Sequence, residues 1–218
     1  MPSFDLAVFD VDGTLLDTTE GVLASVQYTI DHFGFESLSK QQLKKFIGPP
    51  IQNSFANAYG LSGDILQEIA GVFRNRYKDV DLLKAVPYDG IYEAMERLVE
   101  HGVKIAVATY KRQDYAEKIL RHFGFDRFTE IMYGADHENK LKKRDIIEKC
   151  IRDSGISDYS SVVMIGDSDN DAIGARDIGV NFIAATYGFG FENAQEAMRY
   201  PNIGIASSPL EIVNYFLR

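Results

Sequence analysis

The 218 residues of this chain are enough for one sizeable core, or for a core domain that carries a smaller companion. Hydrophobic residues make up 45% and charged residues 25% of the sequence, a composition that excludes the disordered and fibrous classes. The 32 acidic residues outnumber the 23 basic ones, and the net charge of −9 argues against nucleic acid and anionic membranes as partners.

The cysteine count and the hydropathy of the chain indicate the cellular compartment. The single cysteine, Cys150, excludes an intrachain disulfide and a cysteine-based metal cluster. Residues 1–9 carry no basic leader, and no apolar run approaches the length of a membrane span. We therefore expect a cytoplasmic protein with no membrane partner.

The first predicted element is a short buried strand over residues 6–9, which runs directly into Asp10-Val-Asp-Gly-Thr. Residues two apart in an extended chain point to the same side, so Asp10 and Asp12 could face one site if the strand continues past Phe9. Two carboxylates held close together imply a bound cation, a raised pKa, or both. A surface turn rich in Asp and Gly is the less favoured alternative.

A helical stretch follows and interrupts the strands. Residues 18–86 show apolar side chains at helical spacing, among them Val22, Val26, Ile30 and Phe33. Ser39 with Gln42 resembles a capping box, and Gly34 and Gly60 are typical of helix ends. We predict a separate helical domain inserted after the first strand, with its links to the core near Asp17 and Pro87.

The remainder of the chain alternates strands with helices. Apolar runs predict strands at residues 103–108, 131–133, 162–165 and 181–185, with a weaker candidate at 203–206. Helical patterns separate them, at residues 91–101, 114–123, 145–154 and 172–178. This alternation predicts a doubly wound parallel α/β core, formed by residues 1–17 and 87–218 around the inserted helical domain at 18–86.

A second acidic segment, Gly166-Asp-Ser-Asp-Asn-Asp, follows the strand at residues 162–165. If this strand neighbours the first one, both acidic segments lie at the same sheet edge and share one cation. An all-oxygen site that also holds phosphate oxygens suits Mg²⁺ better than Ca²⁺. Alternatively, the segment caps a helix beginning near Ala172, which is as good an explanation for Asp169 as function is.

These two segments resemble the first and last motifs of the haloacid dehalogenase superfamily, and the resemblance extends over almost the whole chain. It implies a Rossmann-like core with an all-helical cap. Within the superfamily, Phe46-Ile-Gly-Pro-Pro-Ile and Thr186-Tyr-Gly-Phe-Gly are similar to phosphoglycolate-phosphatase-like members. Gly188 and Gly190 also resemble a fragment of a dinucleotide-binding fingerprint, but the full pattern is absent.

The resemblance implies a role for each motif residue. Asp10 is the nucleophile, and Asp12 is the general acid and base. The Mg²⁺ ligands are the Asp10 side chain, the Asp12 backbone carbonyl and Asp167, with Asp171 in support. Thr109, at the end of the strand that resembles the second motif, hydrogen-bonds the transferring phosphoryl group. Members of the dehalogenase and phosphonatase types lack an acid at the Asp12 position, so Asp12 implies phosphoryl transfer.

The third motif is a lysine, and its match is looser. Lys143 is favoured because it opens the following helix, whereas Lys140 and Lys142 are interpreted as a solvated charge run. Tyr110 departs from the family pattern, in which Ser or Asn more often follows the threonine. The role of His137, in a loop near these lysines, stays open.

Together these residues predict a Mg²⁺-dependent phosphatase that acts on a small phosphorylated metabolite, with phosphoglycolate as the first substrate to consider. Pyrophosphatase, nucleotidase, phosphomutase of the beta-phosphoglucomutase type and a non-catalytic phosphate-binding module are the alternatives. Four cations could contact a substrate anion but are first interpreted as solvated surface residues: Lys44, Lys45, Lys111 and Arg112. The sequence leaves the oligomeric state open.

Overall fold

The computed structural model describes residues 4–136 and 140–217, so His137 lies outside the described residues. The chain divides into two compact units, Met1–Asp17 with Pro87–Arg218 and Thr18–Val86. These boundaries coincide with the links expected from the sequence, whereas the assignment of the units as catalytic core and cap stays a prediction. Across the described segments, no helix has both the length and the apolar character needed to cross a membrane.

Strands and helices alternate outside the helical insertion. The strands are β1 (Leu6–Phe9), β2 (Leu16–Asp17), β3 (Val86–Pro87), β4 (Lys104–Arg112), β5 (Met132–Ala135), β6 (Val162–Gly166), β7 (Asn181–Ala185) and β8 (Gly204–Ala206). The α-helices are α1 (Thr19–Phe33), α2 (Lys40–Lys44), α3 (Ile51–Tyr59), α4 (Ile65–Arg76), α5 (Ile91–Glu100), α6 (Gln113–His122), α7 (Lys143–Ser154), α8 (Asp169–Ile178), α9 (Ala194–Ala197) and α10 (Pro209–Phe216).

Within residues 4–136 and 140–217, six strands form one parallel sheet in the order β5, β4, β1, β6, β7, β8. The predicted α/β fold class is therefore confirmed. Strand β4 runs to Arg112, past the predicted end at Ala108, because it pairs with β5 again beyond an irregularity. The two-residue strands β2 and β3, which pair with each other, were not predicted, because two residues are too few to show a periodic pattern.

The sheet is buried on both faces, which explains why its central strands are continuously apolar rather than alternating. All four residues of β1 are fully buried. Leu6 and Val8 belong to a core cluster with Ile146 of α7 and Ala172 of α8. Ala7 and Phe9 point to the opposite face, because successive strand residues alternate. A strand enclosed in this way can place polar groups only where it ends.

The helical unit contains α1 to α4 followed by a π-helical turn at Tyr77–Asp81. Its local signals follow the sequence. Ser39 and Gln42 form the predicted capping box. Gly34 and Gly60 end α1 and α3 in left-handed conformations, with φ of 65° and 66°.

Candidate active site

The site lies at the carboxyl ends of two neighbouring strands. Strands β1 and β6 pair in parallel register, with Phe9 opposite Ile165. The backbone N–H of Asp10 continues this ladder by donating to the carbonyl of Ile165 at 2.9 Å. Asp10 and the segment after Gly166 therefore leave the sheet side by side, as expected for a ligand site in a parallel sheet.

Three buried carboxylates meet at this edge. Asp10, Asp167 and Asp171 each offer an oxygen atom, and these atoms lie within 4.8 Å of one another. Burial is the main cause that raises the pKa of Asp10 to about 6; the Lys143 ammonium opposes the rise, and the charges of Asp171 and Asp12 add to it. Burial, followed by the charges of Asp171 and Asp10, also raises the pKa of Asp167 well above its ordinary value.

Lys143 supplies a positive charge to this cluster. Its Nζ lies 2.7 Å from Oδ1 of Asp10 and 2.6 Å from Oδ1 of Asp171. Burial alone would lower the pKa of Lys143, but the charges of Asp10 and Asp171 outweigh it and raise the pKa above its usual range. The side chain is thus an ammonium ion, while Lys140 and Lys142 are exposed, as the sequence indicated.

Two neighbours fix the position of Lys143. The Tyr110 hydroxyl accepts a hydrogen bond from the Lys143 backbone N–H at 2.8 Å. Gly174 of α8 leaves room for the lysine stem, since a Cβ there would come within 2.8 Å of Lys143 Cγ. The Tyr110 departure from the family pattern therefore has a structural consequence that the sequence alone did not reveal.

Asp171 belongs both to the carboxylate cluster and to the start of α8. Its Oδ2 accepts hydrogen bonds from the backbone N–H and the hydroxyl of Ser168, at 3.1 and 2.7 Å. The helix begins at Asp169, three residues before the predicted start, and Ser168 with Asp171 forms its capping box. The alternative that this segment caps the helix is confirmed, but the capping bonds are made by Ser168 and Asp171, whereas Asp169 is the first helical residue. Gly166 is needed here, since any Cβ would overlap the Asp171 side chain.

Asp12 lies outside the group of three carboxylates. Strand β1 ends at Phe9, so the extended geometry that would align Asp12 with Asp10 does not continue. Instead, Oδ1 of Asp12 pairs with Nζ of Lys111 at 3.0 Å. The Lys111 side chain is only 6% exposed, so its interpretation as a solvated surface residue was wrong.

Thr109 is buried near the end of β4, the other neighbour of β1. Its Oγ1 accepts a hydrogen bond from the backbone N–H of Lys111 at 3.1 Å. Thr109 lies at the sheet edge where Asp10 also emerges, and its hydroxyl carries one O–H that can act as a donor.

The donor set fits a small hard cation. All the candidate ligand atoms are oxygen, and three carboxylates in a buried space exceed the positive charge that Lys143 provides. Carboxylate oxygens of this kind are the ligands that Mg²⁺ takes in proteins. Burial, and after it the neighbouring carboxylate charges, raise the pKa values of Asp10 and Asp167, so a bound cation would favour their ionised forms.

A model of the haloacid dehalogenase-like hydrolase family matches residues 7–185 of the chain, which include all the residues of the cluster. The chain belongs to this family. The predictions of the family and of a hydrolytic enzyme are therefore confirmed, and the two acidic segments are the motifs through which the sequence signalled membership.

Individual relatives of this haloacid dehalogenase-like hydrolase have different names. A 5'-nucleotidase of Pseudomonas aeruginosa is 35% identical over 87% of this chain and 86% of its own. A phosphoglycolate phosphatase of Agrobacterium fabrum is 29% identical over 86% of this chain and 83% of its own. The solved structure of a haloacid dehalogenase-like family protein from Streptococcus pneumoniae has a TM-score of 0.89 at 28% identity, covering 98% of each chain.

One part of the site was missed in the sequence of this haloacid dehalogenase-like hydrolase. The backbone N–H groups of Phe189 and Gly190 donate to Oδ2 of Asp167 at 3.0 and 2.8 Å. Gly188 and Gly190 lie in the run that resembles phosphoglycolate-phosphatase-like members, but nothing in the sequence indicated that both approach Asp167 closely. The available signal was a Gly-x-Gly pattern that begins three residues after the end of β7, at the sheet edge from which the acidic segments start.

Proposed function

We propose that the chain is a Mg²⁺-dependent phosphomonoesterase that forms an aspartyl-phosphate intermediate on Asp10. The observation that carries this proposal is the cluster of Asp10, Asp167 and Asp171 at the sheet edge, in which the Lys143 ammonium pairs with Asp10 and Asp171. Membership in a hydrolase family with phosphatase-named relatives supports the same reaction class. Mg²⁺ would be held by the Asp10 and Asp167 carboxylates and the Asp12 backbone carbonyl, with Asp171 in support.

In the first step, a carboxylate oxygen of Asp10 attacks phosphorus while the bond to the leaving alcohol breaks. Asp12 donates a proton to the departing oxygen. With a pKa of about 6, Asp10 is mostly ionised at pH 7 and remains nucleophilic. In the second step, Asp12 takes a proton from water, whose oxygen attacks phosphorus while the bond between phosphorus and the Asp10 oxygen breaks. This releases inorganic phosphate and restores the Asp10 carboxylate.

The phosphoryl oxygens carry negative charge throughout, so catalysis depends on positioning and countercharge. Lys143 contributes a fixed positive charge, and the Thr109 hydroxyl donates a hydrogen bond to a phosphoryl oxygen. When bound, Mg²⁺ supplies further positive charge to the same oxygens. Lys111 holds Asp12 in position through their ion pair.

For the substrate, we propose a small phosphorylated metabolite with phosphoglycolate first. A nucleoside 5′-monophosphate is the second candidate, because the 35% identical relative is named a 5'-nucleotidase. The two differ in the alcohol that leaves: glycolate is small and carries a carboxylate, whereas a nucleoside is large and carries an aromatic base. A site that turns over one of them should therefore discriminate against the other.

The test is phosphate release from a panel of phosphoglycolate, a nucleoside 5′-monophosphate, pyrophosphate and a sugar phosphate, with and without Mg²⁺. We expect release to require Mg²⁺ and Asp10→Asn to lose at least about 10⁴-fold in kcat, since the nucleophile is removed at nearly constant volume. Asp5→Asn, an exposed substitution, serves as the control and should retain activity. Full activity in excess chelator, or in Asp10→Asn, contradicts the proposal; isomerised sugar phosphate without free phosphate indicates a mutase.

A further inference from the structure

Residues 187–191, here called the clamp segment, lie just beyond the family-matched range and form a continuous set of contacts with both acidic segments. Two of its backbone N–H groups, those of Phe189 and Gly190, donate to the same oxygen of Asp167, Oδ2. Two donors on one oxygen fix the rotation of a carboxylate, and so fix the position of its other oxygen, Oδ1.

The clamp segment reaches this position only because it contains two glycines. A Cβ at Gly188 would overlap the Gly13 carbonyl and the Asp167 side chain, and a Cβ at Gly190 would overlap the Asp167 carbonyl. Neither Gly188 nor Gly190 has a φ in the left-handed region. Their requirement is therefore close approach to Asp167 rather than backbone conformation.

Both ends of the clamp segment are anchored. At one end, the Tyr187 hydroxyl donates to the Thr14 carbonyl at 3.0 Å, and its ring packs edge to face on Tyr88. At the other end, the Phe191 N–H donates to the Asp167 carbonyl at 2.7 Å, and its ring packs against Tyr200. The segment thus ties the loop after β1 to the loop after β6.

We propose that the clamp segment is a positioning element, which holds the Asp167 carboxylate in the orientation that binds Mg²⁺. Its residues act through Asp167 and do not themselves contact the reacting atoms. This inference rests on the proposed function, because it assumes that Asp167 is a metal ligand. Partners that orient a ligating group typically change metal affinity by 10- to 100-fold when they are removed.

The experiment measures Mg²⁺ binding by titration calorimetry, together with the melting temperature, for Gly190→Ala and Gly188→Ala. We expect the Mg²⁺ Kd to rise about 10- to 100-fold in both variants. The matched control is Gly71→Ala in α4, where a Cβ meets nothing within 4 Å, and its Kd should equal that of the parent. A lower melting temperature with an unchanged Kd would mean a purely structural role and would overturn the proposal.

Tyr187→Phe keeps the inference testable if the glycine variants do not fold. This substitution retains the ring against Tyr88 and removes only the bond to Thr14. We expect a rise of a few-fold in the Mg²⁺ Kd, and an unchanged Kd in the folded variant overturns the proposal. The two proposals fail differently. If the parent protein binds no Mg²⁺, the proposed function is refuted. If the parent binds Mg²⁺ and releases phosphate, and the clamp variants have the same Mg²⁺ Kd, only the role of the clamp segment is refuted.

Discussion

The two units each bury an aspartate beside cations, but the balance of charge differs. In the helical unit, Asp81 is fully buried and receives Arg76 and Lys84, both at 2.8 Å, and the Ser25 hydroxyl at 3.0 Å. Burial would raise the pKa of Asp81, but the hydrogen bonds from Lys84, Arg76 and Ser25 outweigh it and lower the pKa. This aspartate is fully compensated and stabilises the helices around it.

In the α/β unit, the Lys143 ammonium pairs with Asp10 and Asp171, and Asp167 adds a third carboxylate to the cluster. Burial prevails for Asp10, whose pKa rises to about 6. The local excess of negative charge is a cost in the folded protein, and a cation would relieve it. Asp81 therefore has a surplus of cations around it, whereas the carboxylate cluster keeps surplus negative charge that a bound cation would relieve. Substitutions in the two clusters should therefore have different effects on stability.

The largest expected effect follows from removing the cation of the carboxylate cluster. Lys143→Met should lower the free energy of unfolding at pH 7 without metal by about 3–5 kcal/mol, the usual cost of breaking a buried ion pair. Lys84→Met is the matched control and should cost about 1 kcal/mol, because Asp81 retains Arg76 and Lys84 is partly exposed. Urea denaturation of both variants measures the difference, and equal losses would contradict the contrast.

The same Asp-to-Asn change should have opposite signs in the two units. Asp81→Asn should lose about 2–4 kcal/mol, since it leaves two cations without their carboxylate. Asp10→Asn should gain about 1–3 kcal/mol in metal-free buffer at pH 7, because it removes a charge that the folded state disfavours. Chemical denaturation provides the measurement, and a destabilised Asp10→Asn protein would refute our account of the cluster.

The pH dependence of stability should sharpen the contrast further. The pKa of Asp10 is about 6 in the folded protein and 3.8 without its surroundings, so the folded state binds this proton more tightly. The resulting stabilisation is fully present below about pH 4 and is lost as the pH rises through 6, by about 1–3 kcal/mol. Unfolding free energies of the metal-free parent should fall over this range, more steeply than those of Asp10→Asn. Parallel pH curves for the two proteins would contradict the raised pKa.

The sequence predicted the strands of the sheet because residues such as Leu6 and Val8 are buried on a sheet covered by helices, which makes the strands continuously apolar. It predicted the helical insertion because apolar residues there recur at helical spacing. It also singled out Asp10, Asp167 and Asp171, since each lies at or soon after the end of a buried strand. It did not predict the Lys111 pair with Asp12 or the capping role of Asp171. Those contacts depend on where β4 ends and α8 begins, and element ends are the least determined part of a local pattern.

The resemblance singled out residues 186–190, but their contacts with Asp167 were not predicted, for a different reason. The donors to Asp167 are backbone N–H groups, which every residue except proline carries, so no residue type identifies them. Only the absence of side chains at Gly188 and Gly190 is visible in the sequence. Glycine in a loop is ambiguous between a turn and a close approach, and the structure is needed to decide between them.

The smallest expected effect concerns the hydroxyl that holds the backbone of Lys143. Tyr110→Phe keeps the ring and removes the acceptor of the Lys143 N–H, so stability should fall by about 1 kcal/mol. Lys143 is the first residue of α7, so loss of this hydrogen bond should also loosen its ammonium group beside Asp10. We expect kcat to fall several-fold with little change in KM. Tyr133→Phe is the matched control, since its hydroxyl bonds the exposed Asp153 at the protein surface, and kcat should not change. Steady-state kinetics on both variants measures the difference. Equal kcat values for Tyr110→Phe and Tyr133→Phe would show that the Tyr110 hydroxyl does not position Lys143. A lower kcat in Tyr110→Phe alone would show that catalysis depends on how firmly the cation beside Asp10 is held.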